Sequence, residues 1–186
     1  MRPARTLARR GALAGAALAL AIAPARAQAA IGGPFSLTGG AGQSVTSQDF
    51  PGKFLLIFFG YTRCTDDCPT TMYHMALALA EMGAAAQQLQ ALFISIDPAY
   101  DTPAIASRYA TLFSPDIIGL SGTPAQVAQA VREYHVYTAP AGQQGGAISH
   151  GDLIYLMAPD GSFLTAFPGS LAASTLAARV AAAMGG

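Results

Sequence analysis

The hydrophobic pattern of this chain divides it into short apolar runs and amphipathic segments that alternate. Lys53 to Gly60 is almost unbroken apolar sequence, the pattern of a strand buried on both faces. Ala91 to Ile96 repeats it, and Ile117 to Leu120 predicts a shorter strand of the same kind. Between these runs, Pro69 to Met82 and Pro103 to Leu112 predict helices, the second capped by Asp101 or Thr102. Thr123-Pro124 opens a third helix that runs to about Tyr134. Upstream, Gly32-Gly33-Pro34 begins the ordered part, and Phe35–Leu37 and Ser44–Thr46 predict a hairpin around Gly39, Gly40 and Gly42. Downstream, Leu153–Met157 and Phe163–Phe167 predict strands joined by Pro159-Asp160-Gly161, and Ser170 to Met184 a closing helix.

Strands that alternate with helices imply parallel βαβ units, and a final hairpin adds antiparallel pairing. The expected fold is therefore α/β: a thioredoxin-like mixed sheet flanked by helices, with an N-terminal β-hairpin. No internal repeat or low-complexity linker interrupts it.

The first residues follow a different pattern. Arg2, Arg5, Arg9 and Arg10 precede a small apolar run from Gly11 to Pro24, and Ala25-Arg26-Ala27 offers a small-residue cleavage site. This is the layout of a secretory signal peptide, residues 1–27, which leaves a single domain at 28–186. The run of 14 residues is shorter than the roughly 20 that span a bilayer, so a retained membrane anchor is the lesser alternative. The Arg9-Arg10 pair hints at twin-arginine export without the flanking residues of a full signal.

The leader changes the charge balance. The chain has ten basic and ten acidic residues, but five of the arginines lie before residue 28 and no acid does. The remainder carries five basic against ten acidic residues, a net charge of −5 with histidine neutral. Such a domain has no broad basic field for nucleic acid, and no second apolar span makes it membrane-spanning. Export would place its thiols in an oxidising periplasmic compartment.

The chemistry concentrates at Phe59-Gly60-Tyr61-Thr62-Arg63-Cys64-Thr65-Asp66-Asp67-Cys68-Pro69, which holds the only two cysteines. The loop lies at the carboxyl end of a central strand, where open α/β sheets place ligand sites. Pro69 biases Cys68 away from helical geometry, which predicts Cys68 as the cap of the following helix, with its thiolate favoured there. Three uses remain open. A structural disulfide would close a very short loop, the least stabilising kind. Thiol redox catalysis by Cys64 and Cys68 usually takes Cys-x-x-Cys spacing, and Asp66 and Asp67 between the thiols oppose thiolate formation. Metal binding needs a third donor, and His150, set among Gly145, Gly146 and Gly151 before the Leu153 strand, offers one. Two thiolates and an imidazole suit Cu(I), accept Cu(II) with a further ligand, and fit Zn(II) only with a fourth. His74, with Met72 and Met75, is a weaker second cluster, better read as core methionines beside an exposed histidine. His135 reads as a strand or helix-end residue. No phosphate loop, no Ser-His-Asp order and no carboxylate pair at hydrolase spacing is present.

Several motifs in order resemble the Sco/SenC family of copper-binding proteins. They are Phe59-Gly60-Tyr61-Thr62-Arg63-Cys64 with Cys68-Pro69-Thr70-Thr71, Phe93-Ile94-Ser95-Ile96-Asp97-Pro98 with Asp101-Thr102-Pro103, and Leu120-Ser121-Gly122-Thr123-Pro124. Tyr134-His135-Val136-Tyr137 and His150 ahead of Ile154-Tyr155-Leu156-Met157-Ala158-Pro159-Asp160-Gly161 complete them. The resemblance implies one copper held by Cys64, Cys68 and His150. It also implies delivery of that copper to the copper-accepting subunit of cytochrome c oxidase, for its dinuclear copper centre. Another periplasmic copper chaperone is a further candidate partner, and the alternative reading of the residues is an exported thiol–disulfide oxidoreductase that uses Cys64 or Cys68 to reduce the cysteines of an oxidase subunit. The chain departs from the family pattern at Thr65 and Asp67, at Ser149 where an Asp usually precedes the histidine, and at Tyr100 in place of an Arg. A metal-bound imidazole needs an acceptor on its other nitrogen. Asp152 or a backbone carbonyl would have to provide it.

Overall fold

The computed structural model describes residues 31–139 and 148–185, so the predicted leader lies outside the described residues. A five-stranded sheet forms the centre. Its strands are β3 (Phe54–Gly60), β4 (Leu89–Ser95), β5 (Ile117–Leu120), β8 (Leu153–Met157) and β9 (Phe163–Pro168). Their spatial order is β5-β4-β3-β8-β9. β3 runs parallel to β4, and β4 to β5, while β8 pairs antiparallel with both β3 and β9.

The central strands β3 and β4 are mostly apolar because both faces are covered. On β3, Leu56 and Phe58 face a core shared with α1 (Asp67–Met82), α2 (Pro103–Thr111) and α4 (Ala173–Met184). Leu55, Ile57 and Phe59 face the opposite core, closed by α3 (Pro124–Glu133) and a hairpin of β1 (Ser36–Thr38) and β2 (Ser44–Thr46). The period-two alternation of strand side chains separates these two cores. The arrangement is the thioredoxin-like one expected, with its N-terminal hairpin. Among the described residues no helix is long and apolar enough to cross a membrane.

Two features differ from expectation. A two-stranded ladder, β6 (Thr138–Ala139) with β7 (Ser149–His150), stands apart from the main sheet. Two residues are too few to leave a period in the sequence. Helix α1 begins at Asp67, so Cys68 is its second residue and Asp66 occupies the cap position. A proline in the first helical turn removes an N–H that would have no partner there anyway. The steric bias on Cys68 is outweighed by its complete burial in the core under α1.

His135 ends α3 in the left-handed region, at φ 51°. Its N–H donates to the Arg132 carbonyl, and that of Val136 to the Val131 carbonyl. This is the paired closure that usually recruits glycine, and it makes His135 a helix-end residue.

Candidate metal centre

The two parallel strands end beside each other, and the loop after β3 carries Cys64 back over their carboxyl ends. The buried Asp101 carboxylate ties down the start of that loop. Asp101 accepts hydrogen bonds from the Thr62 N–H at 2.9 Å, the Thr62 hydroxyl at 2.5 Å and the Ser95 hydroxyl at 2.6 Å. Its own backbone carbonyl accepts from the Ser121 hydroxyl. Asp101 is fully buried, and these bonds offset the cost of removing its charge from water. The sequence offered Asp101 or Thr102 as the cap of α2. The cap is Thr102, whose hydroxyl accepts from the Ile105 N–H at 3.3 Å. The signals for Asp101 were Ser95, a polar residue at the end of a mostly apolar strand, and its place in the Asp101-Thr102-Pro103 family motif.

Arg63, next in the loop, is bound at its other side. Its Nη2 lies 2.6 Å from Asp97 Oδ2, and its guanidinium stacks 4.2 Å from the Tyr100 ring centre. Tyr100, one of the departures from the family pattern, thus supplies an aromatic face for the loop's only cation.

Cys68 sits below the loop on the first turn of α1. Burial pushes its thiol above the usual thiol range, with the Cys64 sulfur and the Asp152 charge adding to the effect. This corrects the expectation of a favoured thiolate. Desolvation at a fully buried sulfur outweighs the partial positive charge of a helix start. The approach is close: a Cβ on Gly60 would lie 3.1 Å from Cys68 Sγ and 3.2 Å from Phe93.

His150 reaches the same point from β7. Its Nε2 lies 3.2 Å from Cys68 Sγ, and its Nδ1 lies 3.0 Å from the Gly151 carbonyl oxygen. A carbonyl only accepts, so in the neutral ring Nδ1 carries the proton. Nε2 then presents its lone pair to the sulfur, and the Cys68 thiol donates to it. This is the tautomer a metal ligand needs, with its outer nitrogen already fixed by a backbone acceptor. Asp152, the other acceptor considered, binds Thr71 instead. The ring stands edge-on to Tyr61, with centres 5.8 Å apart, and 6.2 Å from Phe58.

The donor atoms of Cys64, Cys68 and His150 lie within 4.8 Å of one another. They form the one such cluster of three found among the described residues. Metal–thiolate and metal–imidazole bonds of ~2.0–2.3 Å in a trigonal site put donors about 3.8–4.0 Å apart. The cluster brackets that spacing, so a soft ion fits with small movements of side chains. Both cysteines are free thiols. The second candidate cluster does not assemble. Met72 and Met75 are fully buried core residues, while His74 is half-buried, with Nδ1 enclosed and unpartnered.

The sequence matches the SCO1/SenC family over residues 23–185. The chain belongs to that family. It is 38% identical over 159 residues to the human mitochondrial SCO1 homolog, covering 83% of this chain and 53% of that protein. It is 38% identical over 140 residues to the SenC protein of Rhodobacter capsulatus, covering 74% and 63%. The chain thus spans about half the length of the human SCO1 homolog it matches. The structure superposes on copper-bound ScoI of Bradyrhizobium japonicum with a TM-score of 0.74 and 41% identity, covering 83% of this chain and all of the other. Within the SCO1/SenC frame, Asp67 opens α1 with a negative charge at its positive end, a favourable placement.

Proposed function

We propose that this protein is an exported copper chaperone that binds one copper ion through Cys64, Cys68 and His150. The ion is cargo, delivered to the copper-accepting subunit of cytochrome c oxidase for assembly of its dinuclear centre. The observation that carries the reading is the His150 imidazole, oriented by Gly151 with Nε2 beside Cys68 and within reach of Cys64. A disulfide enzyme needs no such imidazole. Membership of the SCO1/SenC family supports the same reading, as does the likeness to a relative solved with copper bound. The basic, apolar and small-residue layout of residues 1–27 supports export to the periplasm with the leader removed.

The site suits transfer as well as capture. Cys68 is fully buried, whereas Cys64 is partly exposed at the surface of its loop. An incoming thiolate from a recipient would reach the metal from the Cys64 side, and ligand exchange would start there through three-coordinate intermediates. Cys68 and His150 would hold the ion until the recipient's donors replace them.

The second reading is an exported thiol–disulfide oxidoreductase that keeps oxidase cysteines reduced. One exposed and one buried thiol in proximity favour it, with Cys64 as the attacking sulfur and Cys68 as the resolving one. The two readings separate at His150. In His150→Ala, loss of a ligand should lower copper affinity at least as much as the ~10–100-fold typical of outer-contact changes. Disulfide exchange depends on thiolate fraction and access, and should change less. The test measures copper affinity, reduction of a model disulfide, and oxidase maturation in cells on one set of variants. Maturation that survives His150→Ala but fails in Cys64→Ser and Cys68→Ser would replace the copper reading with the reductase one.

A further inference from the structure

His150 lies on the least supported element of the site. β7 has two residues, pairs only with β6, and is not joined to the five-stranded sheet. Yet its imidazole must meet Cys68 to within a few tenths of an ångström for a metal to bridge them. The main sheet carries the chain only as far as Leu153 and its backbone bond at Asp152, so side-chain contacts beyond the sheet complete the fixing of His150 against α1.

Two residues beyond His150, the Asp152 carboxylate accepts a hydrogen bond from the Thr71 hydroxyl at 3.0 Å. Thr71 is only 1% exposed and lies three residues after Cys68 on α1. Residues three apart share a helix face. One face of α1 therefore meets one short segment twice, at Cys68 with His150 and at Thr71 with Asp152. The third participant is Gly169, between β9 and α4. Its N–H donates to the Asp152 carbonyl at 3.0 Å, and a Cβ there would fall onto both the Asp152 carboxylate and the Thr71 hydroxyl. The absence of a side chain at Gly169 leaves the room in which the two groups meet.

We propose that Thr71 and Asp152 are positioning residues, a latch that ties the β7–β8 segment to α1 and so sets His150 against Cys68. The role rests on the copper reading for its functional meaning, but the latch acts on the histidine whether or not metal is present. This carboxylate follows the histidine by two residues, whereas the family pattern usually carries an Asp immediately before it and this chain has Ser149 there.

The test compares Thr71→Val, which is nearly isosteric but donates nothing, with Thr71→Ser, which keeps the hydroxyl. Proton NMR of the reduced, metal-free protein reads the contacts of the His150 ring with Phe58 and Tyr61. Titration with Cu(II) reads the affinity. The latch predicts that Thr71→Val weakens the ring contacts and lowers Cu(II) affinity ~10–100-fold, the range for residues that orient a ligand. Thr71→Ser should retain both. Gly169→Ala, which leaves both partners but fills the space between them, should reproduce the loss and serves as the second probe should Thr71→Val fold poorly. Wild-type ring contacts and affinity in folded Thr71→Val or Gly169→Ala would overturn the latch. Failure of wild-type protein to bind copper would overturn the copper reading instead.

Discussion

Asp101 gives the sharpest quantitative expectation. Its carboxylate takes three hydrogen bonds, two of them from Thr62, and it is wholly shielded from water. Hydrogen bonds to charged groups contribute about 1.5–3 kcal/mol each, but the three share one acceptor group and are not additive. Asp101→Ala removes all three and leaves the Thr62 N–H and Ser95 hydroxyl without their partner. A loss of ~3–5 kcal/mol follows, typical of breaking a buried polar network. Asp101→Asn keeps the volume and one carbonyl oxygen, and its amide can donate to the Thr62 hydroxyl, so it should cost only ~1–2 kcal/mol. For a domain of this size each kcal/mol shifts Tm by roughly 2–4 °C. The melting temperature should therefore drop by ~6–20 °C in Asp101→Ala and ~2–8 °C in Asp101→Asn. Thermal and urea unfolding of reduced, metal-free protein measure this. Thr62 is two residues before Cys64, so the rate of Cys64 alkylation under native conditions should rise in the same order. Asp101→Ala within ~0.5 kcal/mol of wild type, the range of an ordinary surface change, would refute the reasoning.

Two further expectations concern the sulfurs. Copper and a Cys64–Cys68 disulfide should exclude each other because they use the same atoms, so oxidised protein should lose tight Cu(I) binding and regain it on reduction; equal affinity in the two states would remove the cysteines from the site. Burial holds the Cys68 thiol above the usual thiol range, so it stays protonated across pH 6–8 in the metal-free protein and must release its proton when metal binds. Apparent Cu(I) affinity should then rise with pH, by about tenfold per unit for that one proton, and a pH-independent affinity measured by competition with a chelator of known protonation would contradict the assignment.

The sequence and the structure agree where periodicity is local and diverge where contacts are distant. β3 and β4 were readable because burial on both faces forces an apolar run, and α2 and α3 because Thr102-Pro103 and Thr123-Pro124 carry their own start signals. The three candidate ligands were readable from donor chemistry and from the order of the family motifs. What surrounds them was not. Asp101 read as an alternative to Thr102 for the cap, because the residue it serves, Thr62, is 39 positions away. Cys68 read as a thiolate because the helix start is visible in Cys68-Pro69 and the burial is not. Thr71 and Asp152 carry no local sign of each other across 81 positions, nor do Cys68 and His150 across 82. The last two pairs depend on β8 lying antiparallel beside β3, which brings the segment ahead of it over the start of α1. The donor set is thus written in local chemistry, but its spacing is a product of topology. The buried Asp101 on the cysteine loop and the half-buried Asp152 beside the histidine help convert that topology into the approach of three donors from separate segments.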